Sequence, residues 1–207
     1  LMAARAAGET EKRPSVETSL HEAIDEQYVV HTHPSLVNGL TCSMDGEDAA
    51  RRLLGEQALW IPMVNPGYVL AVTVRNALIR FQEEFGISPV YILLQNHGVF
   101  ISGETCDVIK ERYARLFEIL DTALIRVPGT GKAQTKADLI DVVAGRISDC
   151  YANIFSDYDG SLEIEFVVNE EIISILSSVN SFNPVSSAFT PDHIVYSGHQ
   201  PLYLDVD

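Results

Sequence analysis

The stretch "PVYILLQNHGVFISG", residues 89–103, does most to limit what this chain can fold into: two apolar runs separated only by Asn96-His97-Gly98. Short apolar runs bounded by turn residues read as strands. Segments of helical period lie on either side. In "NPGYVLAVTVRNALIRFQEEFG", Val74, Leu78, Phe81 and Phe85 recur at i, i+4, i+7 and i+11, with Asn65 as the expected N-cap, Pro66 in the first turn and Gly86 as the stop. "ETCDVIKERYARLFEILDTALIRV" is the longest helical pattern, with Glu111 and Arg115 one turn apart and able to pair. "PSLVNGLTCS", opening on Pro34, and "EDAARRLLG", closed by Gly55, are two short helices, and "ALWIP" is a strand stopped by Pro62. Strands alternating with amphipathic helices make this an α/β or α+β domain.

A second strand, "YVVHTHP" at 28–34, ends in two imidazoles. Side chains alternate across a strand, so His31 and His33 share a face and Thr32 takes the other. Two solvated histidines at a polar strand end are the bland account of a bare His-x-His. A third histidine, His97, stands at the strand break beside Gly98, and a carboxylate, Glu17, lies early in the helix of "RPSVETSLHEAIDE", which Ser15 is placed to cap. Three imidazoles and one carboxylate are a standard donor set for Zn²⁺ in an enzyme.

Bulk composition removes other classes. The 207 residues suffice for one domain with a sizeable core, and 46% hydrophobic with 21% charged residues is ordinary for a globular chain. Lys and Arg number 14 against 29 Asp and Glu, a formal charge of −15, which argues against nucleic acid or a membrane surface as partner. No apolar run reaches the roughly 18 residues of a membrane span. The start, "LMAARAAGETEKR", lacks the pattern of a secretory signal, so a cytoplasmic location is expected. Cys42, Cys106 and Cys150 are widely spaced and read as buried thiols of a reducing compartment.

The rest of the chain reads as support. "PGTGKAQTK" lacks the glycine and hydroxyl residue of a phosphate loop and reads as a solvent loop; "DYDGS" lacks calcium-loop ligands and reads as a turn. "KADLIDVVAGRISDCYANIF" is a further amphipathic helix, and "SLEIEFVV", "HIVYSG" and "PLYLDV" read as strands. Domain boundaries follow as a core over 1–126 and a helical and β extension over 127–207 packed on the same domain. His21 is expected to support the ligands rather than bind, His193 and His199 to be structural or solvated, and Trp60, Tyr68 and Tyr91 to be core or interface aromatics.

"RPSVETSLH", "VVHTHP", "NPGYVLA" and "ILLQNHGVFISGET", in this order and spacing, resemble the zinc-dependent class II sugar aldolase and adducin-head family across about residues 13–125. "TPDHIVYSGHQPL" at 190–202 resembles the long members in which an aldolase domain precedes a short-chain dehydrogenase domain. The resemblance implies a three-layer α/β/α fold with a mainly antiparallel central sheet, assembled as a homotetramer with sites near subunit interfaces. It implies His31, His33 and His97 as ligands of Zn²⁺ or another divalent transition metal, and Glu17 as both ligand and acid/base in aldol cleavage. The metal would stabilise an enediolate as a Lewis acid. The implied reaction is retro-aldol cleavage of a ketose or ketose 1-phosphate to dihydroxyacetone (phosphate) and an aldehyde. Pentulose-phosphate epimerisation, sugar-acid phosphate decarboxylation and a non-catalytic adducin-like head are the alternatives. Ser15 is the candidate substrate contact. This sequence departs from the family pattern at Val16, where phospho-sugar members often carry a second serine, in the family's opening phosphate loops, and in a mobile-loop tyrosine, for which no counterpart stands between His33 and Pro66.

Overall fold

A computed structural model describes residues 7–126, 129, 131, 137–155, 157, 162–201 and 203. The chain forms two compact units, one over 1–124 and 188–199, the other over 125–187 and 200–207.

In the first unit, β1 (Tyr28–Thr32), β2 (Ala58–Ile61), β3 (Tyr91–Leu94) and β4 (Gly98–Gly103) form a four-stranded sheet of order β1-β4-β3-β2. β4 runs antiparallel to both neighbours, and only the β2–β3 pair is parallel. The apolar runs of β3 and β4 are buried along their whole length, which places them at the centre of the sheet. Their side chains divide by parity. Tyr91, Leu93, Val99 and Ile101 pack with Val37 and Leu40 of α2 (Ser35–Thr41), Ala50 and Leu54 of α3 (Gly46–Leu54), and Ile109, Leu116 and Leu120 of α5 (Cys106–Ala123). Ile92, Leu94 and Phe100 pack on the opposite face with Leu20 of α1 (Thr18–Glu22), Ile24 just beyond it, and Leu70, Ala71, Val74 and Ala77 of α4 (Tyr68–Phe85). Helices cover both faces of the sheet, giving three layers and a mainly antiparallel centre.

Several local expectations shift. α4 starts at Tyr68 behind Gly67, whose φ of 114° is open to glycine and strained for other residues, so Asn65 and Pro66 lie in the preceding loop. Within its stripe Val74 and Phe81 are buried, Leu78 is partly so, and Phe85 sits at the exposed end. Arg115 pairs with Glu118 at 2.7 Å rather than with Glu111. Trp60 and Tyr91 pack in the core, whereas Tyr68 is 79% exposed. Cys106 and Cys150 are exposed and only Cys42 is partly covered, because the first two lie on outward helix faces.

The second unit contains α6 (Ala137–Ile154), α7 (Glu170–Ile175) and α8 (Val179–Phe182). Its strand expectations do not hold among the described residues. Residues 162–167 alternate in exposure as a strand would, but no neighbour pairs with them, and a lone strand has no ladder to stabilise it. "HIVYS" forms a π-helical turn over His193–Ser197, back in the first unit. Most of "PLYLDV", the "DYDGS" turn and the 127–136 loop lies outside the described residues. Among the described residues no helix is long and apolar enough to cross a membrane.

Candidate metal centre

β1 pairs with β4 so that His31 stands opposite Phe100, and the two rings stack at 4.1 Å between centroids, 16° from parallel. His31 and His33 therefore rise from the sheet face that α1 and α4 cover. Thr32 points the other way, where its hydroxyl meets Tyr113 Oη of α5 at 2.6 Å. His97 occupies the β3–β4 turn, closed by its own N–H donating to the Leu94 carbonyl at 3.1 Å. Asn96 beside it takes φ 56°, a left-handed conformation that asparagine tolerates better than most residues. Gly98 follows for a steric reason: a Cβ there would stand 2.5 Å from both the Thr32 carbonyl oxygen and His33 Cδ2.

Glu17 reaches the site from the N-terminus of α1. It holds the helix N-cap position, yet its side chain makes no capping bond. Ser15 Oγ instead accepts the Glu17 N–H at 3.1 Å, and the Ser15 carbonyl accepts from Thr18, so Ser15 fixes the turn that aims the carboxylate. A helix of five residues is marginal alone. Leu20, fully buried against α4 residues, anchors it with about 1.5–3 kcal/mol of burial.

The donor atoms of Glu17, His31, His33 and His97 all lie within 4.8 Å of one another. His31 Nε2 is 2.9 Å from His33 Nε2 and 3.3 Å from His97 Nε2; Glu17 Oε1 is 3.5 Å from His31 Nε2 and 3.2 Å from His97 Nε2. Four ligands about 2.1 Å from a zinc ion at tetrahedral angles stand about 3.4 Å apart. Three of these four separations fall near that spacing, the His31–His33 pair is closer, and the whole set spans up to 4.8 Å.

Proton accounting points the same way. His31 Nδ1 lies 2.9 Å from the Val99 carbonyl, and His33 Nδ1 lies 2.7 Å from Asp192 Oδ2. Both acceptors require the proton on Nδ1, which leaves each neutral ring a bare lone pair on Nε2. Two such lone pairs at 2.9 Å, with a carboxylate close by, are mutually repulsive unless a cation sits among them. The His31 and His97 imidazoles beside it hold the Glu17 carboxyl far below the usual carboxylate range, against a smaller opposing effect of burial. The four residues can hold a divalent metal.

His21 stays outside this donor set. It meets Phe100 edge-on at 5.2 Å, and burial pushes its pKa down. His193 Nδ1 accepts the N–H groups of Phe189 and Thr190, and the His199 carbonyl accepts from Ala188, so both serve the backbone of the 188–199 segment. That segment lines two hollows beside the cluster. One, of about 390 Å³, is bounded by His33, Ser35, Asn38, Cys42, Thr190 and Asp192. The other, of about 150 Å³, is bounded by His97 together with Asn65, Pro66, Phe189 and Ile194. Asp192 is the site residue that sequence reasoning missed. It sits within "TPDH", and no local spacing ties it to a histidine so far away in the chain.

A family model described as the class II aldolase and adducin N-terminal domain matches residues 2–124, a stretch holding all four donors. The chain belongs to this family. The chain is also similar to the uncharacterized oxidoreductase YuxG of Bacillus subtilis (strain 168), 25% identical over 208 residues. That match takes in 93% of this chain but 28% of the relative's length. The solved N-terminal class II aldolase domain of a conserved protein from Thermoplasma acidophilum is 27% identical. It covers 55% of this chain and 49% of its own, with a TM-score of 0.46. The class II aldolase family is one of lyases and related enzymes, and the His/Glu cluster suits its usual divalent metal.

Proposed function

We propose that this chain carries a zinc-dependent aldehyde-lyase centre, which cleaves a ketose or ketose 1-phosphate by a retro-aldol reaction to dihydroxyacetone (phosphate) and an aldehyde. The observation that carries the reading is the convergence of four donor atoms within 4.8 Å of one another in a chain of this family. Zinc is placed first because three imidazoles and a carboxylate suit its size and softness. A divalent metal held there supplies Lewis-acid stabilisation of negative charge as the carbon–carbon bond breaks.

The chain's own residues have separate tasks. His31, His33 and His97 hold the metal, and Ser15 keeps the Glu17 turn in place. Glu17, held ionised by its imidazole neighbours, is the base that takes the substrate hydroxyl proton; it can do so only when it leaves those neighbours for the substrate. The hollow of about 390 Å³ beside His33 lies within the ~300–1,000 Å³ typical of small-molecule sites and is where the sugar would enter. The complete donor set favours metal chemistry over a binding head that needs none. Tyr68, Val69, Val72 and Ile79 leave α4 with an exposed apolar face, which supports self-association, a homotetramer being the form proposed. A cytoplasmic location completes the reading, in keeping with three unpaired cysteines.

The test is metal content together with aldehyde release from a panel of free and phosphorylated ketoses, with epimerisation and decarboxylation followed in parallel. Glu17→Gln is expected to lower turnover by about 10²–10⁴ with metal retained. His31→Ala is expected to lose metal and turnover together. Wild-type protein that binds zinc but releases no aldehyde from any ketose refutes the aldolase reading.

A further inference from the structure

We infer that Asp192 is a positioning residue of the metal centre: its carboxylate holds the His33 imidazole in the tautomer and orientation that leave Nε2 free for a divalent cation. The inference rests on the metal reading above and extends it to a residue outside the stretch that matches the family. Asp192 Oδ2 stands 2.7 Å from His33 Nδ1, the length of a charge-assisted N–H···O bond. A carboxylate only accepts, so the ring proton sits on Nδ1 and the lone pair on Nε2, which faces His31 Nε2.

The two paired rings are thus set by different means. His31 is fixed from within the sheet, by the Val99 carbonyl and by stacking on Phe100. His33 stands past the end of β1 and takes its orientation from the 188–199 segment. That segment is built to hold a fixed shape. Thr190 is buried, His193 Nδ1 gathers the Phe189 and Thr190 N–H groups, Ala188 N–H donates to the His199 carbonyl, and Asp192 stands at the start of the π-helical turn. A carboxylate behind a ligating imidazole fixes its tautomer and raises its basicity, and losing one typically weakens metal binding by about 10–100-fold.

The experiment uses the full chain, with Zn²⁺ affinity measured by competition against a chromophoric chelator. Asp192→Ala is expected to bind zinc about 10–100-fold more weakly. Asp192→Asn, which keeps an acceptor oxygen, is expected to recover most of that loss. ¹⁵N NMR of the metal-free protein gives a readout that general loosening of the segment would not mimic. His33 is expected as the Nδ1–H tautomer in wild type and in Asp192→Asn, and as a mixture in Asp192→Ala. Zinc binding by Asp192→Ala within twofold of wild type, or a wild-type His33 protonated on Nε2, overturns the role of Asp192 and leaves the metal centre standing. Wild-type protein that fails to bind zinc at micromolar concentration overturns both.

Discussion

Gly98→Ala should damage the site without touching a ligand. Its φ lies outside the left-handed region, so alanine meets no backbone strain there, and the whole effect comes from contact. The new methyl would stand 2.5 Å from His33 Cδ2, where carbon atoms prefer about 3.5–4.0 Å, so the ring must retreat by roughly 1 Å. The other close atom, the Thr32 carbonyl oxygen, belongs to the backbone between the two histidines and cannot yield without carrying them along. Overpacking of this kind costs about 1–3 kcal/mol, or roughly 2–12 °C in melting temperature for a chain of this size. Metal–ligand distances tolerate only about 0.2 Å, so the same retreat should also weaken zinc binding. Trp60, the single tryptophan, lies in the first unit and reports on it alone. Its fluorescence should be followed on heating in chelator and in excess zinc. The variant should melt earlier in chelator and gain less from zinc. A Gly98→Ala protein that melts within a degree of wild type and binds zinc equally well would refute the packing of Gly98 against His33.

Two further outcomes follow from buried groups. Burial raises the phenol pKa values of Tyr91 and Tyr113, so the folded state resists their ionisation; their contribution to stability is complete below pH about 10 and is lost as pH rises through the folded-state values. Urea unfolding at pH 8, 10 and 11 should show stability falling with pH. Tyr113→Phe should flatten that fall and cost about 1 kcal/mol at pH 8 through the lost Thr32 bond; an unchanged slope would contradict this. Burial likewise pushes the Cys42 thiol up, opposed by hydrogen bonds with Thr41 and Asn96, whereas Cys106 is exposed. Iodoacetamide labelling read by mass spectrometry should therefore reach Cys106 first and Cys42 only at more alkaline pH; equal rates at pH 7.5 would count against the Cys42 environment.

What the sequence made legible was whatever depends on local repetition. The parity of a strand placed His31 and His33 on one face and Thr32 on the other, and the structure keeps that division. The glycines after α3 and α4 marked helix ends because they take positive φ. The apolar runs either side of Asn96 became the two central strands because nothing polar interrupts them. Local pattern was silent where a feature depends on distant chain. Residues 162–167 alternate correctly and still form no strand, since pairing needs a neighbour the pattern does not supply. Arg115 had carboxylates on both sides, and geometry, not spacing, chose Glu118. Asp192 approaches His33 from the far end of the chain, and single-sequence reasoning has no term for such a contact.

The sequence separation of 159 from His33 to Asp192 also sets an order of events during synthesis. Chains elongate at about 5–20 residues per second, so the carboxylate follows its histidine by on the order of ten seconds or more. Glu17, His31, His33 and His97 are all translated before the second unit begins, while the segment bearing Asp192 emerges only after residues 125–187. The four donors can thus gather around the finished sheet while one ring still turns freely. The centre then matures in two stages, collection first and locking second, and a ribosome stalled between them would carry the ligands without the lock.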